Sequence, residues 1–234
     1  CEAGFAEGQP ESAGTQLKVI ITGATGMVGE GVMLECLENP AVDEVLLVSR
    51  RPYGASFPKL KECIVPDFMQ LDAAVDQLKG YDACFFCAGV SSVGKSEADY
   101  TPITYDTTLH FAETVARVNP KMVFVYVSGM GTDSTEKGRM MWARVKGRTE
   151  NALSRVGFRA AYSFRPGFMR ATPGQRNLPG SYKALGWLFP MARAVAPNQV
   201  STLEDVGRAM IRCVTQGYAK QILEVRDINA LGKA

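Results

Sequence analysis

Residues 19–29 read VIITGATGMVG, and this stretch decides the fold because it runs from a β-branched strand through a glycine turn into a helix. Gly23, Gly26 and Gly29 remove side chains where the backbone turns sharply, approaches a pyrophosphate and packs closely against a strand. The helix that follows directs its free N–H groups at an anion. A purely structural turn is the alternative, but the flanking strand and helix favour a dinucleotide-binding site.

Apolar strand candidates alternate with helical patterns along the rest of the chain. Strands are predicted at 17–22, 44–49, 62–65, 82–87, 121–128 and 159–165, and helices near 27–38, 69–78, 103–118 and 137–156. A capping box at 201–204 opens another amphipathic helix, and a short strand follows at 221–225. This order predicts an α/β fold of the doubly wound Rossmann type, with a mostly parallel sheet and helices on both faces.

The chain is expected to form one domain. Residues 1–16 are small, polar and without periodicity, which predicts a disordered tail, and residues 17–228 form the predicted NAD(P)-binding domain. Within it, proline and glycine loosen the pattern at 166–200, which predicts a substrate loop and lid, although a core or edge helix explains the apolar part equally well. Cys1 stands where a methionine is expected, which leaves a fragment or a processed terminus open, including a lipid-anchored cysteine.

Composition excludes several classes of partner. The 26 basic and 24 acidic residues give a net charge of +2, which offers no electrostatic reason to bind nucleic acid or an anionic membrane. A small-molecule substrate is therefore the expected partner. No apolar run reaches the ~20 residues of a membrane span, and cysteines in apolar segments fit a reducing compartment, so the chain is expected to be cytoplasmic. Most of the six cysteines lie in apolar segments and are expected to be free thiols. Cys84 and Cys87 match CxxC, but a strand turns them to opposite faces, so no metal site is predicted.

Further motifs stand at the ends of the predicted strands. TGATGMVG at 22–29 is followed by Cys87-Ala88-Gly89, by Val127-Ser128, by Lys146 on the next helix and by Arg165-Pro166-Gly167. Together they resemble the short-chain dehydrogenase/reductase superfamily, in its atypical, epimerase-like branch, over almost the whole chain. The resemblance, with the glycine turn, implies that these residues bind the cofactor: Gly23, Thr25, Gly26, Met27, Val28, Gly29, Ser49, Arg50, Arg51, Asp67, Cys87, Ala88, Gly89, Lys146, Pro166 and Gly167.

The end of the second strand indicates which cofactor is bound. An NAD site places an acidic residue there to accept a hydrogen bond from the ribose 2′-hydroxyl, whereas this chain has Ser49, Arg50 and Arg51. A guanidinium pairs with a 2′-phosphate, so NADP is predicted over NAD, although arginines on a surface loop often serve only solubility. The resemblance further implies that Asp67 contacts adenine and that Met169 borders the nicotinamide.

The catalytic signature departs from the family pattern. In the family, a serine orients the substrate carbonyl, and a tyrosine four residues before a lysine transfers the proton. Ser128 and Lys146 match this pattern, but Trp142 stands in place of the tyrosine. An indole N–H donates a hydrogen bond yet exchanges no proton near neutral pH, so the role of Trp142 is to shape or stack. Thr104 likewise stands where the family usually carries an asparagine.

Three functions remain open on the sequence. The first is an NADP-dependent oxidoreductase with a non-standard catalytic site, which reduces a small carbonyl compound with a proton from water or from another group. The second is a non-catalytic regulator or scaffold that holds NADP, and the third, weaker because of the short C-terminal segment, is a sugar-nucleotide epimerase. Family members often dimerise, which makes a homodimer a further expectation. Four substitute proton donors are expected to be structural instead: Tyr100, Tyr105, Tyr126 and His110.

Overall fold

A parallel seven-stranded sheet forms the centre of the computed structural model, which describes residues 16–180 and 189–234. Its strands are β1 (Leu17–Thr22), β2 (Val42–Ser49), β3 (Leu60–Ile64), β4 (Ala83–Phe86), β5 (Val123–Val127), β6 (Ala160–Arg165) and β9 (Ile222–Glu224). They are arranged across the sheet in the order β3-β2-β1-β4-β5-β6-β9. Two short strands, β7 (Phe168–Arg170) and β8 (Val200–Thr202), pair with each other in parallel outside this sheet.

Helices cover both faces of the sheet. They are α1 (Met27–Glu38), α2 (Glu97–Thr101), α3 (Thr107–Val118), α4 (Met141–Leu153), α5 (Phe189–Val195), α6 (Leu203–Thr215) and α7 (Val225–Lys233), with a 3-10 helix at Asp72–Leu78 and a π-helical turn at Pro102–Asp106. Val19 and Ile21 of β1 pack into one core with α1 and α6, while Ile20 packs into a second core with α3. Successive residues of a strand point to opposite faces, so both faces are buried and the predicted α/β fold is confirmed.

Several helices differ from their predicted extents. The pattern at 103–118 is interrupted because Pro102 has no N–H for a helical hydrogen bond, and the chain passes through the π-helical turn before α3 begins. The helix predicted near 69–78 is a 3-10 helix, and the one predicted at 137–156 begins at Met141. Helix α6 is capped one residue later than predicted: Ser201 belongs to β8, and the Thr202 side chain accepts from the Asp205 N–H.

Some predictions concern residues outside the two ranges that the structure describes. Residues 1–15 of the predicted tail and 181–188 of the predicted lid lie outside the described residues. In the two described ranges, no helix has the length and apolar character that crossing a bilayer needs. Cys84 packs with Ile20 in one core and Cys87 against the other, so the two thiols face opposite sides of the sheet, as predicted.

Candidate functional site

A cleft of about 700 Å³ opens at the carboxyl ends of the parallel strands. It lies where the strand order reverses, because β1 has β2 on one side and β4 on the other. Open α/β sheets bind ligands at this switch point, and the volume lies within the ~300–1,000 Å³ usual for ligand pockets. Residues from the ends of β1, β2, β3, β4 and β5 line the cleft together with Lys146 of α4.

The glycine turn crosses the end of β4 too closely for any side chain. Gly23 has φ +78°, and a Cβ on it would lie 2.6 Å from the backbone nitrogen of Ala88. A Cβ on Gly29 would lie 2.4 Å from the carbonyl carbon of Gly23. The Ala88 N–H also donates to the Thr22 hydroxyl at 3.2 Å, which ties the end of β1 to that of β4. The first and third glycines are therefore required by close backbone packing.

The second glycine leaves the start of α1 open to an anion. Gly26 is the N-cap residue of α1 and provides no side-chain hydrogen bond to the first turn. A Cβ at Gly26 would meet only the Gly23 carbonyl oxygen, at 3.4 Å. The helix therefore directs uncapped N–H groups into a cleft lined by Met27 and Val28. This arrangement fits the pyrophosphate of a dinucleotide.

The far end of the cleft carries the side chains predicted to hold the adenosine half. Arg50 and Asp67 line it, together with Pro66 and Phe68. The hydroxyl of buried Ser49 donates to the Arg51 carbonyl at 2.7 Å, which fixes the turn that carries the two arginines. Arg50 therefore brings a cation to the position where a 2′-phosphate would be recognised.

At the opposite end, Lys146 and Ser128 are joined through the backbone. The Lys146 ammonium donates to the Ser128 carbonyl oxygen. The Ser128 hydroxyl donates to Glu150 Oε1 at 2.5 Å, and Phe164 O lies 3.1 Å from it. The hydroxyl of Ser128 is therefore held by Glu150, behind the cleft wall that Ser128 helps to form.

Burial changes the protonation of Lys146. Desolvation lowers the pKa of its ammonium to about 8, against the opposing effect of the nearby Glu150 carboxylate. Glu150 itself is paired, because the Arg165 guanidinium donates to its two oxygens at 2.5 and 3.0 Å. Although burial disfavours the charged form, Glu150 and Glu224 raise the pKa of Arg165. Arg165 thus compensates the charge of Glu150, the carboxylate whose effect on the pKa of Lys146 opposes that of burial.

Trp142 lies one turn before Lys146, beside the loop that follows β5. Its indole ring comes within 3.5 Å of the position that a Cβ on Gly131 would take. Among the described residues, the cleft lining includes Lys146 but not Trp142. The indole packs against the loop, and within residues 16–180 and 189–234 no tyrosine lines the cleft.

The structure brings nearly all of the predicted cofactor-binding residues to one cleft. Of the residues predicted for the cofactor, only Arg51 and Gly167 are outside the lining set in the described ranges. A Cβ on Gly167 would lie 2.1 Å from the Gln199 carbonyl oxygen, so this glycine admits the chain next to β8. Met169 lines the cleft as expected.

Other residues of the site were missed by the sequence reasoning. Glu150 gave one signal, since it lies one helical turn after Lys146 on the same face. The apolar wall gave none: Phe86 and Val127 are the last residues of β4 and β5, Ile103 lies in the π-helical turn and Val90 in a loop, and only the fold brings them together. Tyr100 and Tyr126 are buried, and Arg148 lies over the ring of Tyr105, which fits the structural roles expected of these tyrosines.

Comparison with known proteins places these features in one family. Residues 19–138 match the NAD dependent epimerase/dehydratase family. The protein HTATIP2 of Rattus norvegicus is 26% identical over 220 residues, which cover 92% of this chain and 89% of that protein. A mitochondrial protein, fmp52 of Emericella nidulans, is 30% identical over 166 residues, with 68% of each chain covered.

A solved structure shows the same fold. The Bordetella bronchiseptica enzyme WbmF, in complex with NAD⁺, superposes on this chain with a TM-score of 0.62 and a sequence identity of 16%. The superposition covers 95% of this chain and 79% of that one. At this level of identity the likeness extends to the fold and not to the substrate.

Proposed function

Since the chain belongs to the NAD dependent epimerase/dehydratase family, we propose that it binds NADP and acts as a reductase of a small carbonyl compound. The family match confirms the relationship with the short-chain dehydrogenase/reductase superfamily that the motifs predicted. One observation carries the proposal: the glycine turn, Arg50 and Lys146 line the same cleft. A cofactor held by the first two therefore extends toward the third.

Different residues of the cleft bind different parts of the cofactor. The open N-terminus of α1 holds the pyrophosphate, Arg50 pairs with the 2′-phosphate, and Asp67 contacts the adenosine. Lys146 and the backbone of Ser128 border the nicotinamide end. When bound, the nicotinamide supplies a hydride to the carbonyl carbon.

Apolar side chains favour a reductase over a sugar-nucleotide epimerase. Val90, Ile103 and Met169 line the cleft, and Val90 and Ile103 are also partly exposed at 36% and 42%. Such a surface favours a substrate with apolar character, whereas a nucleotide sugar needs groups that pair with its phosphates and hydroxyls. The epimerase remains the third candidate.

A second function is supported by Trp142. Without the tyrosine, the cleft lacks the usual proton donor of the family, and loss of general acid catalysis typically costs about 10²–10⁴ in rate. A protein that holds NADP as a regulator or scaffold needs only the binding half of the site. The cytoplasmic location predicted from the sequence stays a prediction, and the fungal relative fmp52 is named as a mitochondrial protein.

Turnover distinguishes the two functions. NADPH consumption is measured over a panel of aliphatic and aromatic aldehydes and ketones, for the native protein and for Trp142→Tyr, with Trp142→Phe as the control that adds no hydroxyl. Slow turnover by the native protein supports the reductase. Tight NADPH binding with turnover only in Trp142→Tyr supports the binding protein and rules out the reductase.

A further inference from the structure

We propose that Lys146 is itself the proton donor of the reaction, in place of the absent tyrosine, so that its ammonium protonates the oxygen of the reduced carbonyl. This inference rests on the proposed reductase function and names the group that function lacks. Two observations support the role of Lys146: which side chains line the cleft, and which of them already donate their hydrogens within the protein.

The hydroxyl groups of Ser128 and Thr107 already donate hydrogen bonds within the protein. The Thr107 hydroxyl donates to the Pro102 carbonyl at 2.9 Å, and the Ser128 hydroxyl donates to Glu150. Ser49 donates to the Arg51 carbonyl at the adenosine end, and Thr25 belongs to the glycine turn. A hydroxyl has one hydrogen, so Ser128 and Thr107 have none free for a substrate oxygen.

The remaining titratable groups of the lining also fail as donors. Burial raises the pKa of the Cys87 thiol to about 12. A guanidinium releases no proton in proteins, and Arg50 lies with Asp67 at the adenosine end of the cleft. Tyrosine and histidine are absent from the lining as far as the described residues extend. Of the lining groups in the described part of the chain, Lys146 is the one left at the nicotinamide end.

The surroundings of Lys146 suit proton release. Its ammonium has three hydrogens, and the Ser128 carbonyl accepts one of them and anchors the nitrogen at the wall of the cleft. Burial lowers its pKa to about 8. Tyr100 and Tyr126, from the elements packed against α4, are held neutral because burial raises the pKa of both phenols.

The other charged side chains around α4 are already paired with neighbouring elements: Arg144 with Glu97 of α2, Arg148 with the ring of Tyr105, and Glu150 with Arg165 of β6. These pairs leave the charge of Lys146 to be set by burial and by the partly neutralised Glu150. An amine with a pKa near the working pH is the most effective general acid.

The step balances within the cleft. Bound NADPH would supply the hydride for the new C–H bond and become NADP⁺, and the carbonyl π electrons would move to oxygen. One N–H bond of the Lys146 ammonium breaks, and an O–H bond forms on the substrate. The product is an alcohol, and the neutral amine of Lys146 takes a proton from water before the next turnover.

A labelling experiment on the cofactor-free protein tests the premise without any turnover. The protein is treated briefly with trace acetic anhydride between pH 6.5 and 10.5, and acetylation at each lysine is measured by peptide mass spectrometry. Because only the neutral amine reacts, labelling of Lys146 is expected to reach half its maximum near pH 8, below the midpoint of the exposed Lys137 in the same digest. NADP at saturation is expected to protect Lys146 and not Lys137. A common midpoint for both lysines overturns the proposal.

The catalytic arm uses Lys146→Arg. Arginine keeps a cation and a donor to the Ser128 carbonyl but releases no proton, so kcat is expected to fall about 10²–10⁴-fold. NADPH affinity is expected to change by less than about tenfold. In the native protein, the acid form is present below about pH 8, so kcat for reduction is expected to fall as pH rises through that value. Lys137→Arg, at an exposed position, serves as the control.

The outcomes separate this inference from the function on which it rests. Turnover that survives Lys146→Arg, or a kcat that stays flat through pH 8, rules out the proton-donor role and leaves the reductase standing. Absence of turnover by the native protein over the whole panel, with NADPH bound, rules out the reductase and the donor role together.

Discussion

Arg50 is the side chain on which the choice of cofactor depends. It lines the cleft at the carboxyl end of β2, where the backbone is fixed by Ser49. Charge-assisted hydrogen bonds contribute about 1.5–3 kcal/mol, so Arg50→Ala is expected to weaken NADPH binding about tenfold to a hundredfold. NADH, which has no 2′-phosphate, is expected to bind as before.

Titration by the quenching of intrinsic fluorescence measures both affinities. The control is Arg117→Ala, which removes an exposed arginine of α3 far along the chain from the second strand. If Arg50→Ala weakens the binding of NADPH and NADH equally, the guanidinium does not recognise the 2′-phosphate, and its effect on binding is common to both cofactors.

At the scale of single residues, the sequence predicted site residues that lie next to a strand end and missed contacts between residues far apart in the chain. Gly23, Gly26 and Arg50 stand within a few residues of a strand end, so their positions follow from the strand pattern alone. The orientation of the Ser128 hydroxyl follows from Glu150 on α4 and Arg165 on β6, which meet only in the folded chain. No spacing in the sequence announces that contact.

The buried pair Glu150 and Arg165 joins α4 to β6. The side chains are 2% and 10% exposed, and Ser128 and Ser134 add further hydrogen bonds to them. Removing one partner of a buried ion pair leaves an uncompensated charge, so Glu150→Ala is expected to lower the free energy of unfolding by about 3–5 kcal/mol.

Urea unfolding followed by circular dichroism measures that loss. Glu224→Gln is the matched control, because it removes the charge of the half-exposed carboxylate that bonds the same guanidinium at 3.1 Å and keeps a side-chain oxygen to cap α7. The control is expected to cost less than about 1 kcal/mol. Equal effects of the two variants would show that α4 and β6 do not depend on the buried pair.

Glu30 holds a distant segment against the first helix. Its carboxylate is fully buried and accepts from the Tyr53 hydroxyl at 2.7 Å and from the backbone N–H groups of Arg176 and Asn177 at 3.0 and 2.7 Å. Nearby, the Asn177 side chain donates to the Ala24 carbonyl at 3.1 Å. Thus hydrogen bonds to α1 and to the glycine turn hold part of the predicted substrate loop and lid in place.

Hydrogen exchange reports on that attachment. Glu30→Gln keeps the volume but replaces one acceptor oxygen with a donor, so faster exchange is expected at the amides of Arg176 and Asn177. Tyr53→Phe removes a bond to the same carboxylate without touching these amides, and exchange there is expected to stay slow. Unchanged exchange in Glu30→Gln would mean that other contacts hold the segment.

At the scale of elements, strands were easier to predict than helices. Every strand of the central sheet was predicted to within two residues at each end, because burial of both faces produces a continuous apolar run. The interruption at Pro102 and the 3-10 form of 72–78 were missed, since tertiary packing decides how a helical pattern is hydrogen-bonded. Strands β7 and β8 pair across thirty residues, and three residues each are too short for a pattern.

The molecule as a whole separates binding from chemistry. The glycine turn, the sheet and Arg50 form a binding site that serves an enzyme and a cofactor-holding regulator equally well. The difference between those functions lies in α4, where Trp142 turns to the loop and Lys146 to the cleft. The fold and most of the binding site were predictable because both follow from the strand pattern and from short motifs at the strand ends. The chemistry was not, because it depends on the directions in which side chains point.

The most direct test of the account is a competitive titration of the native protein with NADPH and NADH at physiological ionic strength. The cleft is expected to bind NADPH on the order of tenfold to a hundredfold more tightly than NADH, because only NADPH offers a phosphate to Arg50. Equal affinity for the two cofactors, or no binding of either, would contradict the account.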